Sequence, residues 1–297
     1  MTKDRMLTIM AAFAFGLLLG ASLFSMITTI WPRMIPVKAS NHIEVVLMAL
    51  DSDSWYAYKN GLEQAGIHIG VDVSISAPPT EESIAEQLTL IERAIERKPK
   101  TLILAPCDPV AVLPLLKRAK DSGIEIVLFD SDVEDKSYRD YFTGISNYNA
   151  AKTAAEYLDV SDDVKVLILC KNLNATDHRD RMQGFIDGLP TGADITIKEV
   201  YNDSRNQAHS IVMDVAYKNV DIIYCTAAYI VGGAVAAEPT GRIIGFDNES
   251  ENQSYLDEGK QYMIIDQNLY NIGYAAVANS GKGNKQDIEI EVALITK

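Results

Sequence analysis

From His42 to Lys297, short apolar runs alternate with stretches of helical periodicity, and this alternation limits the possible folds more than any other feature of the chain. Runs suited to strands occupy 43–50, 71–76, 101–105, 124–129, 141–145, 164–170, 195–200, 221–225, 242–246, 261–265 and 288–295. Between them, Ile84, Leu88, Ile91 and Ile95 recur at steps of four and three, as do Val112, Leu115, Leu116 and Ala119. Strands alternating with helices predict βαβ units, because parallel strands need a long crossover between them. Eleven strands are too many for one ordinary open sheet, so an α/β fold of two doubly wound parallel-sheet lobes is expected. Ligands of such sheets bind beyond the carboxyl ends of strands. Two facing lobes would therefore line one cleft with strand ends from both.

The first 41 residues differ in character. Met6 to Trp31 contains no charged residue, long enough to cross a bilayer as a helix, and Lys3 and Arg5 before it favour a cytoplasmic N-terminus. A cleaved signal usually has a shorter apolar region, and a lipoprotein would need a cysteine long before Cys107. The expected layout is 1–5 cytoplasmic, 6–31 a transmembrane signal anchor, 32–41 a linker with Pro32 and Pro36, and everything beyond outside the cytoplasm.

The chain carries a formal charge of −14; its first 41 residues hold Lys3, Arg5, Arg33 and Lys38 against Asp4, so 42–297 carries −17. Such a body repels phosphate backbones, which excludes nucleic-acid binding. Cys107, Cys170 and Cys225 are odd in number and widely spaced, so they read as small buried hydrophobes. His42, His68, His178 and His209 lack metal-ligand spacing, and no cofactor is expected. No G-x-S-x-G, H-E-x-x-H, C-x-x-C or phosphate-binding G-x-x-x-x-G-K is present, and Gly281-x-Gly283 reads as a turn. A pair of acids could serve a carbohydrate-active enzyme, but nothing in the pattern singles one out.

Polar residues recur just after the strand runs: Asp51-Ser52-Asp53-Ser54-Trp55, Asp130-Ser131-Asp132, Ser146-Asn147, Asp247-Asn248 and Asp266-Gln267-Asn268. A loop from Lys171 to Asp177 leads into a helix with Arg179 and Arg181. Trp55 beside carboxylates could stack on a sugar while the acids accept its hydroxyls. Equally, Asp51 or Ser52 could cap a helix with Trp55 in the core.

These segments, taken together and in order, resemble the ribose-binding-protein-like family of type I periplasmic binding proteins. IEVVLMALDSDSWYAYKNGLEQAG is similar to the family's first strand, ligand loop and helix, and TLILAPCDPVAVLPLLKRAKDSGIEIVLFDS to its third and fourth βα units. ISNYNAAKTAAEYL resembles the crossover into the second lobe. RDRMQGF, IIGFDN and IIDQNLYNIGYAAV resemble its R-x-x-G-F, G-F-D and closing Q-x-x-x-x-x-G segments. The resemblance implies two lobes joined by three crossings: 42–146 plus 268–286, and 147–267 plus 287–297. It implies ligand contacts from Asp51 or Ser52, Trp55, Asp130, Asn147, Arg181 (with Arg179 as a register alternative), Asp247 and Gln267.

Two positions depart from the sugar-binding pattern. Ser131 stands where an arginine is usual, and Ala227-Ala228 where an Asn-Asp pair is usual. The resemblance implies a non-enzymatic function, closure on a small sugar or sugar-like ligand, a monosaccharide; the expected membrane anchor with its short linker points to signalling to a membrane histidine kinase. The alternative partner is an ABC permease, with the chain as a transporter's solute-binding component.

Overall fold

The structure, a computed structural model, describes residues 42–297 except 172, 174, 202–203, 215–218 and 284–285. The expected membrane helix at 6–31 and the linker at 32–41 lie outside the described residues. Among the described residues, no helix is long and apolar enough to cross a membrane. Residues 41–297 form one compact unit.

Two six-stranded sheets carry the fold. The first comprises β1 (His42–Val46), β2 (Asp72–Ser76), β3 (Thr101–Leu104), β4 (Glu125–Phe129), β5 (Tyr141–Gly144) and β11 (Ile288–Glu289). The second comprises β6 (Lys165–Cys170), β7 (Asp194–Glu199), β8 (Ile222–Cys225), β9 (Arg242–Phe246), β10 (Met263–Asp266) and β12 (Ala293–Thr296). The orders are β11-β5-β4-β3-β1-β2 and β12-β10-β9-β8-β6-β7, the same winding used twice. Central strands such as Thr101–Leu104 and Ile222–Cys225 are buried along their whole length. Helices cover both faces of a parallel sheet, which is why these strands read as continuous apolar runs rather than alternating ones.

The last apolar run does not form one strand. Ile288–Glu289 pairs parallel with β5 in the first sheet, and Ala293–Thr296 pairs antiparallel with β10 in the second. The third crossing therefore lies at 290–292, later than the boundary expected at 286–287, and the second sheet is not wholly parallel. Edge pairing sets this switch; the unbroken IEIEVALIT pattern carries no turn signal that would show it.

Nine helices accompany the sheets among the described residues: α1 (Asp53–Ile69), α2 (Ile84–Glu96), α3 (Leu113–Asp121), α4 (Asn147–Tyr157), α5 (Thr176–Gly188), α6 (Arg205–Met213), α7 (Ala228–Ala236), α8 (Ser250–Asp257) and α9 (Leu269–Ala278). Two close helix pairs position the cleft. A Cβ on Gly273 would lie 2.4 Å from the Tyr58 carbonyl oxygen, so only glycine lets α9 sit this near α1. A Cβ on Gly184 would lie 2.1 Å from the Tyr148 carbonyl oxygen, and the same argument seats α5 against α4. The glycines of Q-x-x-x-x-x-G and R-x-x-G-F are thus packing positions. Phe185, beside Gly184, stacks on Tyr224 with centroids 3.8 Å apart. Cys170 and Cys225 are buried, whereas Cys107 is half-buried, short of the full burial expected, because it follows β3 in a loop.

Candidate functional site

The repeated winding places equivalent residues at equivalent strand ends. Asp130 follows β4 and Asp247 follows β9, the fourth strand of each sheet's winding. Both adopt left-handed backbone, with φ of 63° and 70°. Non-glycine residues enter that region rarely, aspartate and asparagine most readily, and such strain gathers at functional sites. Asn268, at the second crossing, shares it with φ of 60°.

A chain of hydrogen bonds organises the second-lobe side. Arg181 donates through Nε to Asn147 Oδ1 (2.7 Å), through Nη1 to the Thr226 carbonyl (2.9 Å) and through Nη2 to Gln267 Oε1 (3.0 Å). Gln267 Nε2 donates in turn to Asp247 Oδ1 at 2.5 Å. The Arg181 guanidinium lies over the Phe246 ring, 4.0 Å from its centroid. Asn147 opens α4 just after the first crossing, and Gln267 lies in the second. Arg181 therefore ties two of the three crossings to Asp247. Arg179 is exposed and, among the described residues, bonds to Thr176 at 3.4 Å, so the arginine of the cluster is Arg181.

On the first-lobe side, Tyr58 donates its hydroxyl to Asp130 Oδ1 at 2.6 Å. Trp55 is 4% exposed, tilts against Tyr58 with centroids 5.2 Å apart, and donates Nε1 to Glu81 Oε1 at 2.9 Å. Glu81 also receives Lys171 Nζ from the other lobe at 2.8 Å. Ser54 donates to Glu249 Oε1 (2.7 Å) and Ser250 Oγ to Asp53 Oδ2 (2.6 Å). These three interlobe contacts hold the cleft closed.

Of the residues expected at the site, Asp130, Asn147, Arg181, Asp247 and Gln267 come together, with Trp55 beside them. Ser52 instead caps α1, accepting the Trp55 amide, and Asp51 is exposed at the mouth of that turn. Capping explains the Ser52 position because the first amides of a helix lack internal partners. Tyr58, Glu81, Lys171, Asp177, His178 and Glu249 were not singled out as contacts. Tyr58 and Asp177 share helix faces with Trp55 and Arg181, at spacings of three and four, a signal that could have found them. Glu81 sits in a loop with no motif. At the departure Ala227-Ala228, the strand end contributes backbone instead: the Thr226 carbonyl takes the arginine, while Thr226 Oγ1 accepts the Lys171 amide at 3.0 Å.

Charge is concentrated here. Burial, together with the carboxylates of Asp177 and Glu81, outweighs the Tyr58 hydrogen bond and Arg181 and pushes the Asp130 carboxyl up to about 7. Burial likewise raises the carboxyls of Asp247 and Glu249. Burial lowers His178 to about 4, so its ring is neutral at pH 7. Among the described residues, no group of three His, Cys, Asp or Glu could hold a metal.

Two α/β lobes of one winding, closed on half-buried acids and a buried arginine and glutamine, define a two-lobed small-molecule-binding protein. The chain belongs to the family described as "Periplasmic binding protein domain", whose model matches residues 43–280. A D-allose-binding periplasmic protein of Escherichia coli (strain K12) is 26% identical over 254 residues, spanning 79% of this chain and 82% of that protein. A solved glucose-galactose binding protein from Geobacillus stearothermophilus superposes with a TM-score of 0.76 at 26% identity, covering 87% of this chain and 98% of that one. The fold also matches an ABC transporter periplasmic solute binding protein from Actinobacillus succinogenes 130z, solved with bound D-allose (TM-score 0.77, 20% identity, 86% and 97% coverage). The chain's family and these relatives are binding proteins, not enzymes.

Proposed function

We propose that this protein binds a small sugar or sugar-like ligand outside the cytoplasm, from a membrane anchor formed by 6–31, and that its closure signals to a membrane histidine kinase. The observation that carries the binding reading is the convergence of Tyr58–Asp130 and Arg181–Gln267–Asp247 on one closed cleft. Relatives named for allose, glucose and galactose support a monosaccharide ligand. Trp55 supplies an apolar ring, and the acids accept hydroxyl protons; a site of buried polar groups rewards only the ligand that satisfies them together.

The sensing role rests on the expected anchor and short linker, which keep the domain beside a lateral membrane partner. A second reading, the solute-binding component of a sugar ABC transporter, is favoured by the relatives described as transporter components. A thermal-shift screen of residues 42–297 against pentoses, hexoses, polyols and their phosphates tests the binding reading, since a ligand that binds only the folded state raises its stability. A rise with one sugar class supports it; no rise with any contradicts it. Deleting the gene separates the two roles: loss of sugar uptake indicates transport, and loss of sugar-induced transcription with uptake intact indicates sensing.

A further inference from the structure

We infer that the cleft selects a sugar bearing a protonated amine over a neutral one. This deepens the sugar-binding reading and rests on it. The argument begins with hydrogen-bond donors. Tyr58 Oη and Trp55 Nε1 already donate to Asp130 and Glu81. Lys171 Nζ is engaged by Glu81, and Arg181 gives one N–H from each of Nε, Nη1 and Nη2 to neutral oxygens of the protein, keeping the other two of its five N–H groups. Each carboxylate has roughly four lone-pair sites, more than these bonds fill, so the cleft keeps acceptors for a ligand as well as donors.

Charge points the same way. Glu81, Asp130, Asp177, Asp247 and Glu249 converge, against the cations Lys171 and Arg181 alone among the described residues. Arg181 bonds to amide and carbonyl oxygens and Lys171 pairs with Glu81, so among the described residues Asp130, Asp177, Asp247 and Glu249 have no Arg or Lys in contact. At 131, where the sugar-binding pattern has an arginine beside the fourth-strand acid, serine adds no charge.

An independent observation comes from His178. Its side chain is 8% exposed, it lies three residues before Arg181 on the same helix, and its Nδ1 is buried with no hydrogen-bond partner among the described residues. Its Nε2 stands 3.6 Å from Asp177 Oδ2, too long for a hydrogen bond. A neutral imidazole can accept a proton donor, and a buried one without a partner is costly to leave so. An ammonium brings three donors and one positive charge. It donates to the open acceptors and offsets the charge excess, whereas hydroxyls supply donors without charge.

Calorimetric titration of residues 42–297 at pH 7.0 tests this, using D-glucosamine, D-galactosamine and D-mannosamine, each beside its neutral parent hexose and its N-acetyl derivative. One amine is expected to bind at least about ten-fold tighter than both uncharged counterparts. Ser131→Arg, a change at a half-buried loop residue beside Asp130, is expected to bring that ratio below about three-fold. A neutral parent binding as tightly as its amine, or an amine preference unchanged in Ser131→Arg, overturns the inference and leaves the sugar reading standing. Absence of binding by every amine, parent and derivative overturns the sugar reading as well.

Discussion

Asp130 shows how a binding residue can work against the stability of its own fold. Its carboxyl titrates near 7 in the folded chain, above the ordinary value it has when unfolded. Between those values the folded state holds a proton that the unfolded state has released. Stability from this group is therefore full at low pH, falls as pH rises toward 7, and stays reduced above it. Asp130→Asn keeps an oxygen to accept the Tyr58 hydroxyl and removes the buried charge. Thermal unfolding of ligand-free protein is expected to show the variant more stable by about 1–3 kcal/mol at pH 8, with the gap narrowing as pH falls below 7 and closing at about pH 4. A variant less stable at pH 8 would contradict this placement of Asp130. Arg181→Ala acts in the opposite direction: it strips the donor from Asn147, Gln267 and the Thr226 carbonyl at once. It is expected to cost more than about 2 kcal/mol of ligand affinity by calorimetry, and wild-type affinity would count against the site. At this scale the sequence was readable where charge and turn position coincide, as at Asp130, Arg181 and Asp247. It was not readable where two residues meet only through folding, as Trp55 and Glu81 do across 26 positions, and at Ser52 the pattern fits a helix cap and a ligand contact equally until the fold shows its hydroxyl accepting the Trp55 amide.

Among the elements, close helix pairs carry the geometry. The motif R-x-x-G-F joins three tasks on one face of α5: Arg181 enters the cleft, Gly184 admits α4, and Phe185 stacks on Tyr224. Q-x-x-x-x-x-G likewise joins Gln267 in the cleft to Gly273 against α1. Gly184→Ala and Gly273→Ala each drive a Cβ into a backbone oxygen, at 2.1 and 2.4 Å, where no side chain can yield. Each is expected to lose about 1–3 kcal/mol in denaturant unfolding, the cost of overpacking; a neutral result would mean the helices separate freely. Most elements were legible because a buried parallel strand is apolar on both faces and its flanking helix on one. The split of 288–295 was not, because its two halves share one alternating pattern and differ only in which sheet edge receives them.

For the whole molecule, closure depends on few contacts. Lys171–Glu81, Ser54–Glu249 and Ser250–Asp53 join the lobes at the mouth, each involving a partly or fully exposed group. Such pairs contribute little individually. Lys171→Met is accordingly expected to weaken ligand binding by only about two- to five-fold while enlarging the unliganded protein's radius of gyration in solution scattering. An unchanged radius with unchanged affinity would remove the pair from the closing mechanism. Elsewhere, Arg139 is buried between Asp132 and Asp287 and fixes the start of β11 within the first lobe, just before the third crossing, with its two bonds to Asp132 at 2.6 and 2.7 Å. Such a partnered buried arginine suits a fixed pivot, since breaking it leaves charges unpaired.

The central claim is that a monosaccharide is held between Asp130 and Asp247 at the ends of equivalent strands. Calorimetric titration of residues 42–297 and of Asp247→Ala with the sugar that most stabilises the wild type tests it directly. One-to-one binding by the wild type, weakened by more than about 2 kcal/mol in Asp247→Ala, is the predicted result. Equal affinity in both proteins, or no binding heat from any sugar, would contradict it.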